Sequence, residues 1–268
     1  MNIEAIEQAL QRAGVDGWLF VDFRGSDPLA YSILKLPRQH RSRRWFYYVP
    51  ATGHPTRIVH AIEAASLDTL PGRLQIYLPW SQLHEMLRGT LAGSKRIAMQ
   101  YSPLNNIPYV SRVDAGTIDL VRSFGVEVVS SADLVAEFEA TLSDREVQTH
   151  LVAADRLGQI VQDAFGEITA RVNRGSGVTE YDIQQHLLQE FASQGLEADH
   201  PPIVAIDAHS ADPHYSPIAA TATKFAPGQF VLIDAWCRLI GEGNVFADIT
   251  WVGYLGNEVP EEHSRVFR

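Results

Sequence analysis

The stretch that most constrains the fold is residues 228–256, which read GQFVLIDAWCRLIGEGNVFADITWVGYLG. Two apolar runs, residues 230–233 and 245–254, flank a glycine-bearing turn, a pattern that predicts a β-hairpin. Asp234 ends the first run and Asp248 lies inside the second. The hairpin would bring these two acids onto neighbouring strands.

Two carboxylates that lie close together repel each other unless a proton or a cation stands between them. A bare carboxylate is also costly to bury. Carboxylate oxygens suit hard divalent cations such as Mg, Ca and Mn, so we hypothesise that Asp234 and Asp248 are two ligands of a metal site. The alternative is structural: Asp234 would be a turn residue at a strand end, and Asp248 a turn cap or the partner of an arginine.

Length and cysteine content narrow the class of protein. The 268 residues suffice for one large domain or two ordinary ones, and 46% hydrophobic residues predict a substantial core. Cys237 is the single cysteine, so no internal disulfide can form, which is typical of a reducing compartment. Neither a signal peptide nor a membrane-spanning run is evident. We therefore expect a soluble cytoplasmic protein with no membrane partner.

The net charge of −10 is distributed unevenly. Residues 1–135 hold 14 Lys and Arg against 12 Asp and Glu, a balance of +2, whereas residues 136–268 hold 8 against 20, a balance of −12. Such asymmetry suggests two domains. The acidic second half argues against a nucleic-acid partner.

The first half alternates strand and helix patterns, which predicts an α/β domain with a mixed sheet. Residues 45–49 are strongly β-prone and pair with residues 56–60 across a turn in the predicted hairpin. Residues 107–111 are predicted to start a helix. A basic cluster precedes the hairpin and comprises Arg38, His40, Arg41, Arg43 and Arg44. We interpret it as the solvated edge of a loop. The alternatives are a contact with an anion, with nucleic acid or with another subunit.

The second half opens with helix signals. Ser143, with a glutamate three residues later, predicts a capping box for a helix over residues 144–171. Thr179 predicts the cap of a second helix over residues 180–193. The apolar residues 203–206 are predicted to form a strand.

Several familiar chemistries are excluded by their missing motifs. Residues 89–95 have the wrong spacing for a phosphate-binding P-loop, and no GxGxxG follows a strand. No GxSxG nucleophile elbow is present. Cys237 has no histidine close in sequence, and we interpret it as a small core residue.

Three stretches of the second half together resemble the M24 metallopeptidases, the "pita-bread" family that includes Xaa-Pro dipeptidase (prolidase) and aminopeptidase P. GVTEYDIQQHLLQEFASQG resembles the second helix of the family domain, and IVAIDAHSADPHYSP resembles the strand and loop that end in Pro-His-Tyr-x-Pro. The stretch at residues 228–256 resembles the hairpin that carries the first two metal-ligating aspartates.

The first half is similar to the creatinase-type N-terminal domain of prolidase and aminopeptidase P, which methionine aminopeptidases lack. The resemblance therefore favours the Xaa-Pro branch and implies an α/β (α+β) fold. It places a creatinase-like N-terminal α/β domain at residues 1–138. It places the N-terminal part of a pita-bread metallopeptidase domain at residues 139–268.

The resemblance also implies roles for individual residues. Asp234 matches the aspartate that binds one metal ion, and Asp248 matches the aspartate that bridges both. His214 matches the histidine that contacts substrate and stabilises the reacting centre; the alternative is a loop histidine with a satisfied hydrogen bond. The family pattern implies two divalent metal ions (Mn, with Co or Zn as alternatives), a proline-containing peptide substrate and a homodimer.

The chain departs from the family pattern in three ways. The two aspartates are 14 positions apart, a few more than is usual, and Trp251 stands where the family often has an arginine. The family's last three metal ligands, a histidine and two glutamates, have no match, and four nearby residues stay unassigned: Glu258, Glu261, Glu262 and His263. We therefore expect the 268-residue chain alone to be inactive as a peptidase. The alternatives are a metal-free creatinase-like amidinohydrolase and a non-catalytic dimerisation or binding protein on the same fold.

Overall fold

The computed structural model describes residues 2–37 and 39–268. The chain divides into two compact units, Met1–Thr141 (unit 1) and Leu142–Arg268 (unit 2). Unit 1 holds 14 basic and 14 acidic residues and unit 2 holds 8 and 18, so the whole net charge of −10 lies in unit 2. Among the helices of the described residues, none is long and apolar enough to cross a membrane.

Unit 1 is a mixed α/β structure, as its strand and helix patterns predict. Its strands are β1 (Gly17–Asp22), β2 (Trp45–Pro50), β3 (Thr56–His60), β4 (Arg73–Tyr77), β5 (Arg96–Met99) and β6 (Glu127–Ser130). Its helices are α1 (Ile3–Ala13), α2 (Pro28–Ile33), α3 (Trp80–Thr90), α4 (Ala115–Arg122) and α5 (Ala132–Glu139). The strands form one sheet in the order β4-β3-β2-β1-β5-β6.

The central strands of the unit 1 sheet, β1 and β2, are buried on both faces. Every residue of β1 is buried; Trp18 and Phe20 pack into one apolar cluster, and Leu19 and Val21 into another. The predicted hairpin is confirmed, because β2 and β3 pair antiparallel. Burial on both faces explains the nearly continuous apolar runs in these strands.

Residues 107–111 do not form the predicted helix. They form a turn, in which the N–H of Val110 donates to the carbonyl of Ile107 at 3.2 Å. Just before them, Leu104 and Asn105 both have φ of 55°, in the left-handed region. These two left-handed residues lie just before the turn, so the chain does not enter residues 107–111 from a helical conformation.

The basic cluster of unit 1 is not wholly a solvated edge. Arg41 is buried, and its guanidinium donates to the carbonyls of Pro37 and Ser66, each at 3.0 Å. The prediction is therefore wrong for Arg41, which ties the loop together. Arg43 is exposed, as predicted, and Arg38 lies outside the described residues.

A buried acidic pair lies between β1 and α2. Asp22 accepts hydrogen bonds from the hydroxyl of Tyr31 and from the N–H of Asp27, each at 3.1 Å. Asp27 caps α2 by accepting the N–H of Ala30 at 3.0 Å, while its Oδ2 is buried without a hydrogen-bond partner. Burial is the main cause that raises the pKa of Asp27 to about 7; the Ala30 hydrogen bond opposes it, and the charge of Asp22 adds to it.

Unit 2 packs its two long helices against one face of a small antiparallel sheet, and its short last helix against the other. Its helices are α6 (Asp144–Asn173), α7 (Glu180–Ser193) and α8 (Glu261–Phe267). Its strands are β7 (Leu196–Glu197), β8 (Ile203–Ile206), β9 (Phe230–Leu239) and β10 (Ala247–Tyr254). β9 pairs with β10 on one side and with β8 and β7 on the other.

The helix starts of unit 2 follow the predicted caps. The Ser143 side chain accepts the backbone N–H of Glu146, and the Glu146 side chain accepts the backbone N–H of Ser143. These two hydrogen bonds confirm the capping box of α6. Thr179 caps α7 in the same way. The apolar faces of α6 and α7 pack on the buried side of β9, where Ile233 and Cys237 lie, so Cys237 is the core residue that we predicted.

β9 is longer than predicted. The sequence predicted a strand that ends at Asp234, but β9 continues to Leu239. The partners explain the difference, because β8 pairs with β9 as far as Asp234, β7 pairs with its last residues, and β10 spans most of its length. The polar residues after Asp234 alternate with buried ones and lie on the less buried face, so they do not interrupt the strand.

Gly253 marks the closest approach of β10 to α6. A Cβ at this position would lie 2.8 Å from Cε1 of Phe165. We expect Gly253→Ala to lower the free energy of unfolding by about 1 to 3 kcal/mol, because overpacking forces a packed ring to move. Gly158→Ala is the control: a Cβ added there would meet nothing within 4 Å, and alanine is preferred inside α6 by about 1 kcal/mol. Urea unfolding followed by circular dichroism measures both; equal effects of the two variants would contradict this account.

Candidate metal and substrate site

The two aspartates lie on the same face of the β9–β10 hairpin. Asp248 stands opposite Trp236 and Thr250 stands opposite Asp234. Residues directly opposite in an antiparallel pair share a face, and so do residues two apart in one strand. Asp234, Trp236, Asp248 and Thr250 therefore form one four-residue patch, on the side of the sheet opposite α6 and α7. α8 lies on this side as well, at the far end of the hairpin, where His263 stacks on Phe230.

The carboxylates of this patch are close enough to affect each other. Partial burial, and then the negative charge of Asp234, raises the pKa of Asp248. The hydroxyl of Thr250 donates to Oδ1 of Asp234 at 2.6 Å. A cation beside the two acids would relieve their repulsion.

His214 and Asp234 line the same groove. His214 lies in the segment between β8 and β9 (residues 207–229, the β8–β9 segment) and is exposed. The groove has a volume of about 390 Å³, and its wall includes His214, Asp234, Trp236 and two proline rings. The structure thus brings the predicted histidine to the face that carries the predicted aspartates.

Trp236 forms a wall of this groove. Its indole N–H donates to Oδ1 of Asp199 at 2.7 Å, and Nδ1 of His200 lies 3.4 Å from the same oxygen. The Trp236 hydrogen bond is the main cause that lowers the pKa of Asp199. The bond holds a large flat ring beside Asp234, where an apolar ring of a ligand could pack.

Glu180 is a residue of this region that the sequence interpretation missed. Its side chain is fully buried. Oε1 accepts the N–H of Ile206 at 2.9 Å and lies 2.9 Å from Nδ1 of His209. Oε2 accepts the hydroxyl of Tyr215 at 2.7 Å and the N–H of Thr223 at 2.9 Å. The family-like stretch GVTEYDIQQHLLQEFASQG includes this glutamate, but a position just after a helix cap suits an exposed acid equally well, so the sequence assigned it no role.

Tyr215, the residue after His214, is fixed from two sides. Its ring stacks on His209 with the centroids 4.4 Å apart, and its hydroxyl binds Glu180. Burial first, and then the hydrogen bond to Glu180, raises the pKa of the Tyr215 hydroxyl. The hydroxyl therefore stays protonated and acts as a donor to the carboxylate.

The donor set fits a divalent cation but is small. Asp234 and Asp248 supply carboxylate oxygens of the type that hard cations bind. Within residues 2–37 and 39–268, no group of three or more His, Cys, Asp or Glu side chains is arranged to hold a metal. Trp251 pairs with Ile233 on the alternate positions of the hairpin, so it lies outside the patch that contains the two acids.

Comparison with known proteins identifies the family that unit 2 resembles. Residues 153–268 match the model of metallopeptidase family M24. No curated protein matches the chain. The resemblance to M24 that the sequence motifs indicated is therefore confirmed, and its matched region contains the β8–β9 segment and the whole hairpin.

Solved structures share the fold over nearly the whole chain. A prolidase from Thermococcus sibiricus is 17% identical, with a TM-score of 0.57, and the match covers 99% of this chain and 67% of that one. The dipeptidase PepE from Mycobacterium ulcerans is 19% identical, with a TM-score of 0.61, over 98% and 66%. An X-prolyl aminopeptidase from Caenorhabditis elegans, described as a cytosolic enzyme with a di-nuclear active site, is 16% identical, with a TM-score of 0.57, over 97% and 41%. The expected fold class is confirmed, and the chain spans about two thirds of the length of the first two structures.

Proposed function

We propose that this chain is part of a metal-dependent peptidase of the Xaa-Pro dipeptidase or aminopeptidase P type, which hydrolyses a peptide bond next to proline. Unit 1 would be its creatinase-like N-terminal domain. The observation that carries the proposal is the common face of Asp234 and Asp248, with His214 on the groove beside it. The M24 match over unit 2 supports the same reading.

Each residue of the site has a role that suits its chemistry. Asp234 would bind one divalent ion and Asp248 would bridge two, with Mn as the first choice and Co or Zn as alternatives. Bound divalent ions activate water and polarise a carbonyl. His214 would donate a hydrogen bond to negative charge that develops on the substrate. The flat apolar surfaces of Trp236 and the two prolines suit a prolyl ring.

The assembly and location of the protein stay predictions. The family resemblance supports a homodimer, and the single cysteine suits a reducing compartment such as the cytoplasm. The acidic charge of unit 2 does not favour a nucleic-acid partner. A mass by light scattering that equals one chain at high concentration would contradict the dimer.

We expect the 268-residue chain by itself to show no hydrolysis of Xaa-Pro dipeptides with added Mn²⁺. Two carboxylates bind a pair of divalent ions weakly, and no third ligand joins them in the described part of the chain. The assay is release of free proline, with a complete prolidase as the positive control. Sustained turnover by the purified chain would overturn this expectation.

We expect the chain to bind a divalent metal ion weakly even though we expect it not to hydrolyse peptides. We predict that the chain binds Mn²⁺ with a dissociation constant of about 0.1 to 1 mM, by analogy with the weakest Ca²⁺ sites of proteins, since affinity falls with the number of charged ligands. Asp234→Asn or Asp248→Asn should weaken binding at least about tenfold, because each removes one of two charges. Asp163→Asn, at an exposed acid on α6, is the matched control. Electron paramagnetic resonance of free Mn²⁺ measures all four proteins; equal affinities would argue for the metal-free alternative.

A further inference from the structure

We infer that Glu180 is the positioning residue for His214. Its buried carboxylate accepts hydrogen bonds from both ends and from the middle of residues 206–223, the loop that carries this histidine. The inference rests on the proposed function for the role of His214. It assigns Glu180 no contact with substrate or metal.

The hydrogen bonds of Glu180 are spread along the loop. Ile206 ends β8 and Thr223 lies 17 positions later, yet both backbone N–H groups donate to the same carboxylate. Between them, Tyr215 donates its hydroxyl to Oε2. One side chain on α7 therefore closes the loop at its base and fixes the residue next to His214.

His214 itself has little to hold it. It is exposed, and its own backbone N–H donates to Oδ1 of Asp212 at 2.9 Å, which is a contact within the same turn. Because a short exposed turn is weakly constrained, the place of His214 over the groove depends on Tyr215. The position of Tyr215 depends in turn on Glu180 and on the stacked ring of His209.

The carboxylate is specifically required for this arrangement. Each of its two oxygens accepts a backbone N–H, and a backbone N–H cannot become an acceptor. A glutamine amide would place its NH₂ against one of these donors in either orientation. The three donors and Nδ1 of His209 surround both oxygens, so Glu180 is not a metal ligand in this arrangement.

The test is nuclear magnetic resonance of the full chain, with the imidazole signal of His214 assigned by its loss in His214→Gln. Three forms are compared at one pH: wild type, Glu180→Gln and Glu190→Gln, which changes another glutamate of α7. We expect Glu180→Gln to move the His214 signal towards the position of an unstructured histidine and to reduce its broadening by Mn²⁺. Amide exchange at Ile206 and Thr223 should become faster in the same variant. Glu190→Gln should leave all three readouts as in wild type.

An unchanged His214 signal in a folded Glu180→Gln protein would overturn the inference, even if the protein were less stable. If that variant does not fold, Tyr215→Phe is used in its place, since it leaves both backbone donors paired with Glu180. The His214 signal should then move in Tyr215→Phe. An unmoved signal in this variant overturns the inference. The proposed function is tested by a different readout, the Mn²⁺ broadening of the wild-type His214 signal. Absence of Mn²⁺ broadening in the wild type counts against the metal site, while a His214 signal that depends on Glu180 still supports positioning.

Discussion

Glu180→Gln is expected to lower the free energy of unfolding by about 3 to 5 kcal/mol, the usual cost of breaking a fully buried charged network. The amide leaves at least one backbone N–H facing another donor, and an unsatisfied buried donor costs about 1 to 3 kcal/mol by itself. Urea unfolding at 25 °C, followed by circular dichroism, gives the difference.

Two other variants serve as comparisons for the loss of stability in Glu180→Gln. Tyr215→Phe removes one hydrogen bond and leaves the backbone donors paired, so we expect it to cost about 1 to 2 kcal/mol. Glu190→Gln, on the same helix, should stay within about 0.5 kcal/mol of wild type. A loss below about 1 kcal/mol for Glu180→Gln would show that the buried carboxylate is not needed for the loop.

The second large effect concerns Asp27 in unit 1 and depends on pH. Burial is the main cause that raises the pKa of Asp27 from 3.8 to about 7 in the folded chain. Between pH 4 and pH 7, the unfolded chain has released this proton while the folded chain keeps it. Stability contributed by the neutral acid is therefore full below about pH 4, falls as pH rises, and stays low above pH 7.

Asp27→Asn should remove this loss. Asparagine caps helices about as well as aspartate, and its amide nitrogen would replace the unpartnered Oδ2. We expect the variant to match wild type near pH 4 and to exceed it at pH 8 by about 2 to 4 kcal/mol, which corresponds to the shift in pKa.

Asp16→Asn provides a control of opposite sign. Backbone hydrogen bonds from Arg96 and Lys95 are the main causes that lower the pKa of Asp16, so its carboxylate stabilises the folded chain above its unfolded pKa. Removing it should reduce stability at pH 8 more than at pH 3. Urea unfolding across this pH range measures both variants. A difference between Asp27→Asn and wild type that does not change with pH would contradict the assignment.

Local signals in the sequence predicted the elements that depend on nearby residues. The caps at Ser143 and Thr179 placed the starts of α6 and α7, because capping is decided within three residues. The end of β9 was misplaced at Asp234, since its true length depends on β7, β8 and β10. Residues 107–111 form a turn instead of the expected helix, and two left-handed residues precede them, a local conformation that apolar spacing does not predict.

The candidate site was predictable only in part. The hairpin pattern was enough to suggest that Asp234 and Asp248 lie on neighbouring strands, and the Pro-His-Tyr motif indicated His214. Glu180 was not predictable, because the backbone groups that bind it come from 26 and 43 positions away. Arg41 was misjudged for a similar reason, since one of its partners is the carbonyl of Ser66.

The most direct test of the metal site is anomalous diffraction from crystals of the chain soaked in Mn²⁺ at a concentration that saturates binding in solution. We predict an anomalous peak on the face of the hairpin opposite α6 and α7, about 2 to 2.5 Å from carboxylate oxygens of Asp234 and Asp248. Under the same soak, the peak height should fall to about half or less in Asp234→Asn, as a loss of affinity of about tenfold requires. A saturated crystal with no peak beside either aspartate, or with a peak of unchanged height in this variant, would contradict the proposal that a cation belongs between the two acids.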